Sequence, residues 1–574
     1  MRHLLLVAAI VALFPLLPGC GEEKSSSGSK KGGRSNASAP AEMAETTLPA
    51  EIAALLPKDT LAILYVPSAK DLSSKLAPLM AASGESGFDP FEPLRAHPSA
   101  DFLVDAKLVD ETRPYVLALS LQMGGMPTPA PTIALPIRDA NDAKQRLTGL
   151  GLATGILADG YLVFDNPFSM QPTEPVRGIN PPSFPSGIYG VYVDLAAIVQ
   201  STRPLLEMGL AAFEGGMLQG EGATDVVMQQ TARTTVTHFR SFLDSVSVLR
   251  GGFDSIESTY ELHATLEMKE GSALAAPTQA GDDLWSVVTS IDPADPVAAV
   301  GSYDPVRAYK LLRPFMASSL AMYPSETAAK LETWLDEFLP TMKLMKGASS
   351  VSGGLAPGGI RATMFSSVRD EEQFLKQQID LLHQNPVRGE GVSFADAKPR
   401  KSGAIEVYDI VATYDFKKLF GDQYDALGAE EVEQMAAMFY GDELPISMSA
   451  HDGIFAMFMG RNASEVDAAL AKQGGAHQLE EEFSHAIARV NEAPLSIAGR
   501  LDFVAMMRSI ARMQVATTGE GQSALNALES VGPITLFSWL RGEGTEFRFG
   551  FSFPQSSVNN IPQLKQTIES TRGF

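Results

Sequence analysis

The chain has 574 residues, 45% hydrophobic and 20% charged, with one cysteine and a formal net charge of −23. That composition excludes disorder for the bulk of the molecule and supplies apolar material for more than one core. The acidic excess excludes a nucleic-acid partner, which needs clustered Lys and Arg, and a lone cysteine excludes both a disulfide framework and thiolate zinc.

In chain order, the first segment opens with Arg2 and His3, runs apolar from Leu4 to Leu17 and breaks at Pro18-Gly19 before Cys20. A basic start, a short apolar stretch and a small-residue junction are the parts of a secretory signal, and this stretch is too short to span a bilayer. With the only cysteine at its end, the segment resembles the signal of bacterial lipoproteins. The resemblance implies removal of residues 1–19, acylation of Cys20 and an envelope protein held to a membrane through the acyl chains. Gly21 in the place of a retention aspartate implies, by the same resemblance, the outer membrane, facing the periplasm or the cell surface. Residues 20–50 form a tether, with Ser25-Ser26-Ser27-Gly28-Ser29-Lys30-Lys31-Gly32-Gly33-Arg34-Ser35 flexible and locally basic. About thirty residues of this kind reach roughly 30 Å. No later stretch approaches a second membrane span.

The body opens on Leu56-Pro57-Lys58-Asp59-Thr60-Leu61, which resembles the start of certain uncharacterised exported bacterial proteins and carries no activity with it. Thereafter one pattern recurs: an apolar, strand-like run ends in a small polar or acidic residue and passes at once into a helical pattern. The runs are Leu61–Val66 before Ser68, Ile188–Val193 before Asp194, Val297–Tyr303 before Asp304, Ile410–Tyr414 before Asp415, and Leu495–Leu501 before Asp502. They lie about 90 to 125 residues apart, a domain-sized spacing rather than that of a short solenoid repeat. Ser or Asp at such a junction is a helix N-cap, accepting hydrogen bonds from unpaired amides at the positive end of the helix dipole. Pro305 follows Asp304 as a favoured first helical residue. Pro204 and Pro314, ten residues after Asp194 and Asp304, and Pro78 in the first unit are expected to kink or end their helices.

Each unit has a second half of alternating strands running into a short helix. These are Thr132–Ile137 before Asp139, Tyr260 to Leu266 before Ser272, Arg361 to Phe365 before Asp370, Ile454–Phe458 before Ser464, and Phe547, Phe549, Phe551 and Phe553 before Ser556. Period-two alternation marks strands with one buried face. The fold class is therefore α+β, with repeated strand, helix and antiparallel-strand units packing sheets on helices. The segment Ala275–Asp283 reads as a linker dividing the body into residues 51–280 and 284–574.

Sites of chemistry are scarce. Gly149-Leu150-Gly151-Leu152-Ala153-Thr154-Gly155 and Gly519-Glu520-Gly521-Gln522-Ser523-Ala524 both follow helical patterns, whereas a phosphate loop follows a strand and opens a helix. They read as connectors, and no nucleotide is expected. His477, Glu481 and His485 share one helical face, but beside Glu480 and Glu482 they read as solvated surface rather than metal ligands. The methionine pairs Met123/Met126, Met342/Met345, Met435/Met438 and Met457/Met459 fall in apolar patterns and read as core before Cu(I) ligands. No cofactor is expected. The leading functional expectation is a non-enzymatic scaffold for a protein partner in the envelope. The alternatives are a carrier of lipid or another apolar ligand, and a hydrolase with a dispersed active site.

Overall fold

A computed structural model describes residues 44–84, 108–124, 126–149, 155–165, 176–217, 226–256, 258–272, 274–276, 281–289, 291–320, 325–356, 359–384, 391–415, 417–418, 443–473, 479–519 and 521–571. Cys20 and the tether to residue 43 lie outside these. The fold is α+β. Strand β1 (Glu45–Thr47) and helix α1 (Ala50–Ala53) precede a first unit of β2 (Ala62–Val66), α2 (Ala69–Ser83), β3 (Tyr115–Gly124), β4 (Met126–Pro136) and α3 (Ala140–Gly149). Strands β5 (Gly155–Ala158), β6 (Tyr161–Asp165) and β7 (Ser183–Pro185) follow. The second unit is β8 (Tyr189–Asp194), α4 (Leu195–Met217), α5 (Val226–Ser245), β9 (Val246–Ile256) and β10 (Thr259–Met268). After α6 (Trp285–Val288) comes the third, with β11 (Val297–Ser302), α7 (Pro305–Leu320), α8 (Ser325–Asp336), α9 (Phe338–Leu344), β12 (Met345–Ala356), β13 (Gly359–Val368) and α10 (Glu371–His383). Strands β14 (Val392–Phe394) and β15 (Lys398–Ser402) lead into the fourth, β16 (Ile405–Tyr414), β17 (Glu443–His451), β18 (Ile454–Met459) and α11 (Ala463–Ala471). Helix α12 (Glu481–Val490) precedes the fifth, β19 (Leu495–Asp502), α13 (Phe503–Thr518), α14 (Gln522–Glu529), β20 (Thr535–Glu543), β21 (Glu546–Pro554) and α15 (Gln555–Thr571).

All five units enter one antiparallel sheet of 19 strands, and they join like edge to like edge. The first strands β2 and β8 pair, then the third strands β10 and β21, then the first strands β19 and β11, then the third strands β13 and β18. The fifth unit thus sits between the second and the third. The ladder of β10 on β21, Thr259↔Pro554 through Glu267↔Glu546, carries the sheet across the expected boundary near residue 280. The expected linker is fastened at both ends: Ala276 N donates to Gly544 O, Gly281 N to Glu492 O and Asp282 N to Ser302 Oγ. The sheet is open, ending at β5 on one side and at β14 and β15, both paired with β16, on the other.

A polar cap closes each first strand. The amides of Asp71, Ala197, Arg307, Lys418 and Ala505 donate to Ser68 Oγ and to the Oδ1 atoms of Asp194, Asp304, Asp415 and Asp502, at 3.1, 2.8, 3.1, 3.1 and 2.9 Å. Each spans three residues, the geometry by which a cap satisfies an orphan donor of the first turn. The prolines do not end their helices: α2 runs five residues past Pro78 to Ser83, and α4 continues past Pro204 to Met217. The carbonyls deprived of a donor belong to Ser74 and Gln200, which are exposed, so each is open to solvent in place of the missing amide. Helix α7 likewise runs past Pro314.

Three second-half expectations need correction, the first being Ser556, which lies inside the 17-residue α15 that already begins at Gln555. After β10 the chain turns at Gly271 (φ 74°) without starting a helix, and Ser272 Oγ accepts from Leu274 N within that turn. At α11 the cap is Asn462 rather than Ser464, in a reciprocal box with Glu465.

Candidate apolar binding site

The registers assign every strand residue to one of two faces, since side chains alternate. One face carries Leu117 of β3, Leu64 of β2, Val191 of β8, Gly251 of β9, Ala264 of β10, Phe549 of β21, Leu540 of β20 and Ile497 of β19 as a single cross-strand row. A neighbouring row holds Tyr189, Phe253, Leu262, Phe551, Ser538 and Gly499, and continues through Ala299, Val351 and Met364. From β3 to β13 the described strands place no charged residue on this face. The charges all point the other way, among them Arg250, Glu261, Glu267, Arg500, Arg541 and Arg548.

Helices cover the uncharged face in two tiers. The first strands β2 and β19 end at one edge and the antiparallel β8 and β11 at the other, so their helices depart in opposite directions. At one edge α2 and α15 pack on each other and bury Tyr260 together with Phe553 and Phe253. At the opposite edge α4 and α5 cover Leu266, Phe547 and Met268. The rows between stay open: Leu117 is 38% exposed, Leu262 37% and Phe551 41%, and Ala264, Phe549, Val191 and Gly251 are half-buried. Phe253 is held flat by stacking on Tyr189 at 5.6 Å and Tyr260 at 6.1 Å, forming one wall. The result is an apolar furrow across the first, second and fifth units.

On the charged face, α6, α11 and α12 bury the main core with Val300, Phe365, Phe458 and Phe537. Ionisable groups there face one another. Arg461 meets Asp295 at 2.8 Å, and Ser352 Oγ donates to the same carboxylate at 2.7 Å. Burial pushes the Asp295 carboxyl up despite the opposing Arg461 charge and Ser352 hydrogen bond. Where the halves of the chain meet, His263 Nε2 lies 2.7 Å from Glu261 Oε2, and Arg489 Nη2 donates to both Glu261 oxygens at 3.0 Å.

Of the other sequence candidates, the five caps stand one per unit at the strand ends, away from the furrow rows. Glu481 and His485 form an exposed pair at 4.0 Å, and His477 lies outside the described residues. Among the described residues no group of three His, Cys, Asp or Glu could hold a metal. Gly519 (φ 74°) and Gly521 (φ 87°) connect α13 to α14. Gly149 ends α3 and Gly155 begins β5, with the residues between them outside the described set. Met342 and Met345 are core, and Met457 lies between Met364 and Met448 on adjacent strands; Met435 and Met438 lie outside the described residues. Met123 and Met126 flank the β3–β4 hairpin tip. The furrow itself was missed by sequence reasoning, although the Phe547/Phe549/Phe551/Phe553 alternation was its signal.

No protein-family model matches the chain, and no curated protein matches it. A solved chain described as "Structure of crystal form III of TP0453" is similar over 48% of this chain and 97% of that one, at 10% identity and a TM-score of 0.21. A likeness of that size carries no argument about fold or activity. Among the described residues no helix is long and apolar enough to cross a membrane.

Proposed function

We propose that the protein is an envelope lipoprotein, anchored through acyl chains on Cys20, whose body binds an apolar ligand without catalysing a reaction. One observation carries this reading: an uncharged sheet face left open between two tiers of helices, in a chain of net charge −23, with Leu117, Leu262 and Phe551 exposed on its floor. Large apolar side chains left exposed together on one strip are the mark of a binding surface. The ionisable groups buried opposite are engaged with one another, which favours a structural role for them over acid–base chemistry. The sequence ahead of the body supports the same reading, since its Ser/Gly/Lys composition is the kind expected to let a body reach ligand beyond its anchor.

Organic extraction of the purified protein followed by mass spectrometry tests it. An apolar molecule in near-stoichiometric amount is expected from the wild type, and much less from Leu262→Ser/Phe551→Ser. An empty extract, together with failure to bind any added fatty acid, would end the proposal and return the scaffold reading to the front.

A further inference from the structure

We infer that the furrow takes one extended hydrocarbon chain, the acyl chain of a lipid or of a free fatty acid, lying across the strands from Leu117 toward Phe551. This rests on the apolar-ligand reading and names its ligand class. Between the row under α2 and α15 (Tyr260, Phe553) and the row under α4 and α5 (Leu266, Phe547), only the Leu262–Phe551 and Ala264–Phe549 rows stand open. The covered rows on either side are six residues apart along the strand, about 20 Å.

The polar inventory selects against an extended peptide, which is slender enough to enter. The floor strands lie inside the sheet, so their amides and carbonyls are paired with strands on both sides. Of the floor side chains between Leu117 and Phe551, none carries a charge. A peptide there would bury an amide and a carbonyl per residue without partners, whereas a polymethylene chain has no polar group to satisfy.

Length agrees. From β3 through β2, β8, β9 and β10 to β21 there are five interstrand steps, about 24 Å at roughly 4.8 Å each. One leaflet of hydrocarbon is about 15 Å deep, half of the roughly 30 Å core, so the furrow holds a long acyl chain at full stretch. Gly251, midway, keeps the floor low: an added Cβ would come within 3.3 Å of the His263 carbonyl.

The test uses the full chain carrying Cys20→Ser, free of detergent, and a fluorescent fatty acid displaced by saturated fatty acids and lysophosphatidylcholines of graded length. Affinity should rise about fourfold per methylene and stop rising once the furrow is filled. Ala264→Leu, which raises the floor, should weaken long chains roughly fifteenfold, the equivalent of two methylenes of lost contact, and leave short ones unchanged. Thr265→Val, on the opposite face of the same strand, should change neither. Should Ala264→Leu fail to fold, Leu262→Ala replaces it, with weaker binding at every length. Tighter binding of the fatty acid or of the lysolipid tells which source of acyl chain is preferred. Affinity independent of length, two chains per protein by native mass spectrometry, or an indifferent Ala264→Leu protein with a normal melt would each overturn the single-chain inference while leaving an extracted apolar ligand intact. Failure of every probe together with an empty extract overturns the underlying reading instead.

Discussion

Arg489→Met isolates the contact that fastens the two halves of the chain at the β10–β21 ladder. Arg489 on α12 holds both oxygens of Glu261 on β10, and its guanidinium lies 5.6 Å from the Trp539 ring centroid. The Arg489 and Glu261 side chains are only 15% and 12% exposed, so loss of the cation strands a carboxylate away from water. Removing one member of a buried pair costs about 3–5 kcal/mol, and the remaining His263 partner brings the expectation down to about 2–3 kcal/mol. With roughly 2.1 cal/mol/K of unfolding entropy per residue, that lowers Tm by about 2 °C if the body melts as one unit, and by about twice as much if one half melts alone. Calorimetry of the wild type, Arg489→Met, Glu261→Gln and the double variant completes a cycle, in which Glu261→Gln should recover most of the Arg489→Met loss because an amide needs no counter-charge. The pH dependence has a definite sign. Burial pushes the Glu261 carboxyl up, but the His263 hydrogen bond and the Arg489 charge outweigh it and hold the group below its usual range. A carboxyl lowered by folding stabilises above its unfolded value and loses that contribution as pH falls through the folded one. The advantage of the wild type over Glu261→Gln should therefore vanish in acid. An Arg489→Met protein that melts like the wild type, or a loss untouched by Glu261→Gln, would mean that the Arg489–Glu261 pair does not stabilise the ladder.

Asp194→Ala and Asp304→Ala should each cost about 0.5–2 kcal/mol, with Asn and Ser substitutions milder, because a short oxygen acceptor is what the first turn requires. A Ser variant that melts like the wild type yet abolishes a cellular phenotype would point to chemistry at these carboxylates instead. Metabolic labelling with a fatty-acid analogue should mark the wild type and spare Cys20→Ser, and equal labelling would remove the anchor from the proposal. Melts of the body with and without chelator should coincide, since the fold is expected to need no metal; a large drop would expose a structural ion.

Local features were legible in the sequence. Asp194, Asp304 and Asp502 announce their junctions because a cap is a contact over three residues, and the Phe547–Phe553 alternation announces a two-faced strand because the period is intrinsic to the backbone. The order of the units was not legible. That the fifth pairs with the second and third depends on contacts such as Leu262↔Phe551, nearly three hundred residues apart, and every third strand carries a similar alternation. The furrow was hidden for the same reason: Leu117, Leu262 and Phe551 each read as ordinary inward residues until the registers align them and the helix tiers leave them bare. Pro78 and Pro204 misled because their penalty depends on whether the orphaned carbonyl reaches water, which only the orientation of the helix decides.

The open ends of so wide a sheet have a further consequence. An unfinished edge offers a row of free amides and carbonyls to any other chain and invites aggregation. Here one end stops at β5, a strand of four residues, and the other at β14 and β15, the latter reading Lys398-Pro399-Arg400-Lys401-Ser402. Shortness at one end, and proline with three cations at the other, deny an incoming strand both register and charge neutrality. The molecule can therefore keep a long sheet unrolled, with two apolar rows of one face left open, without that sheet templating its neighbours.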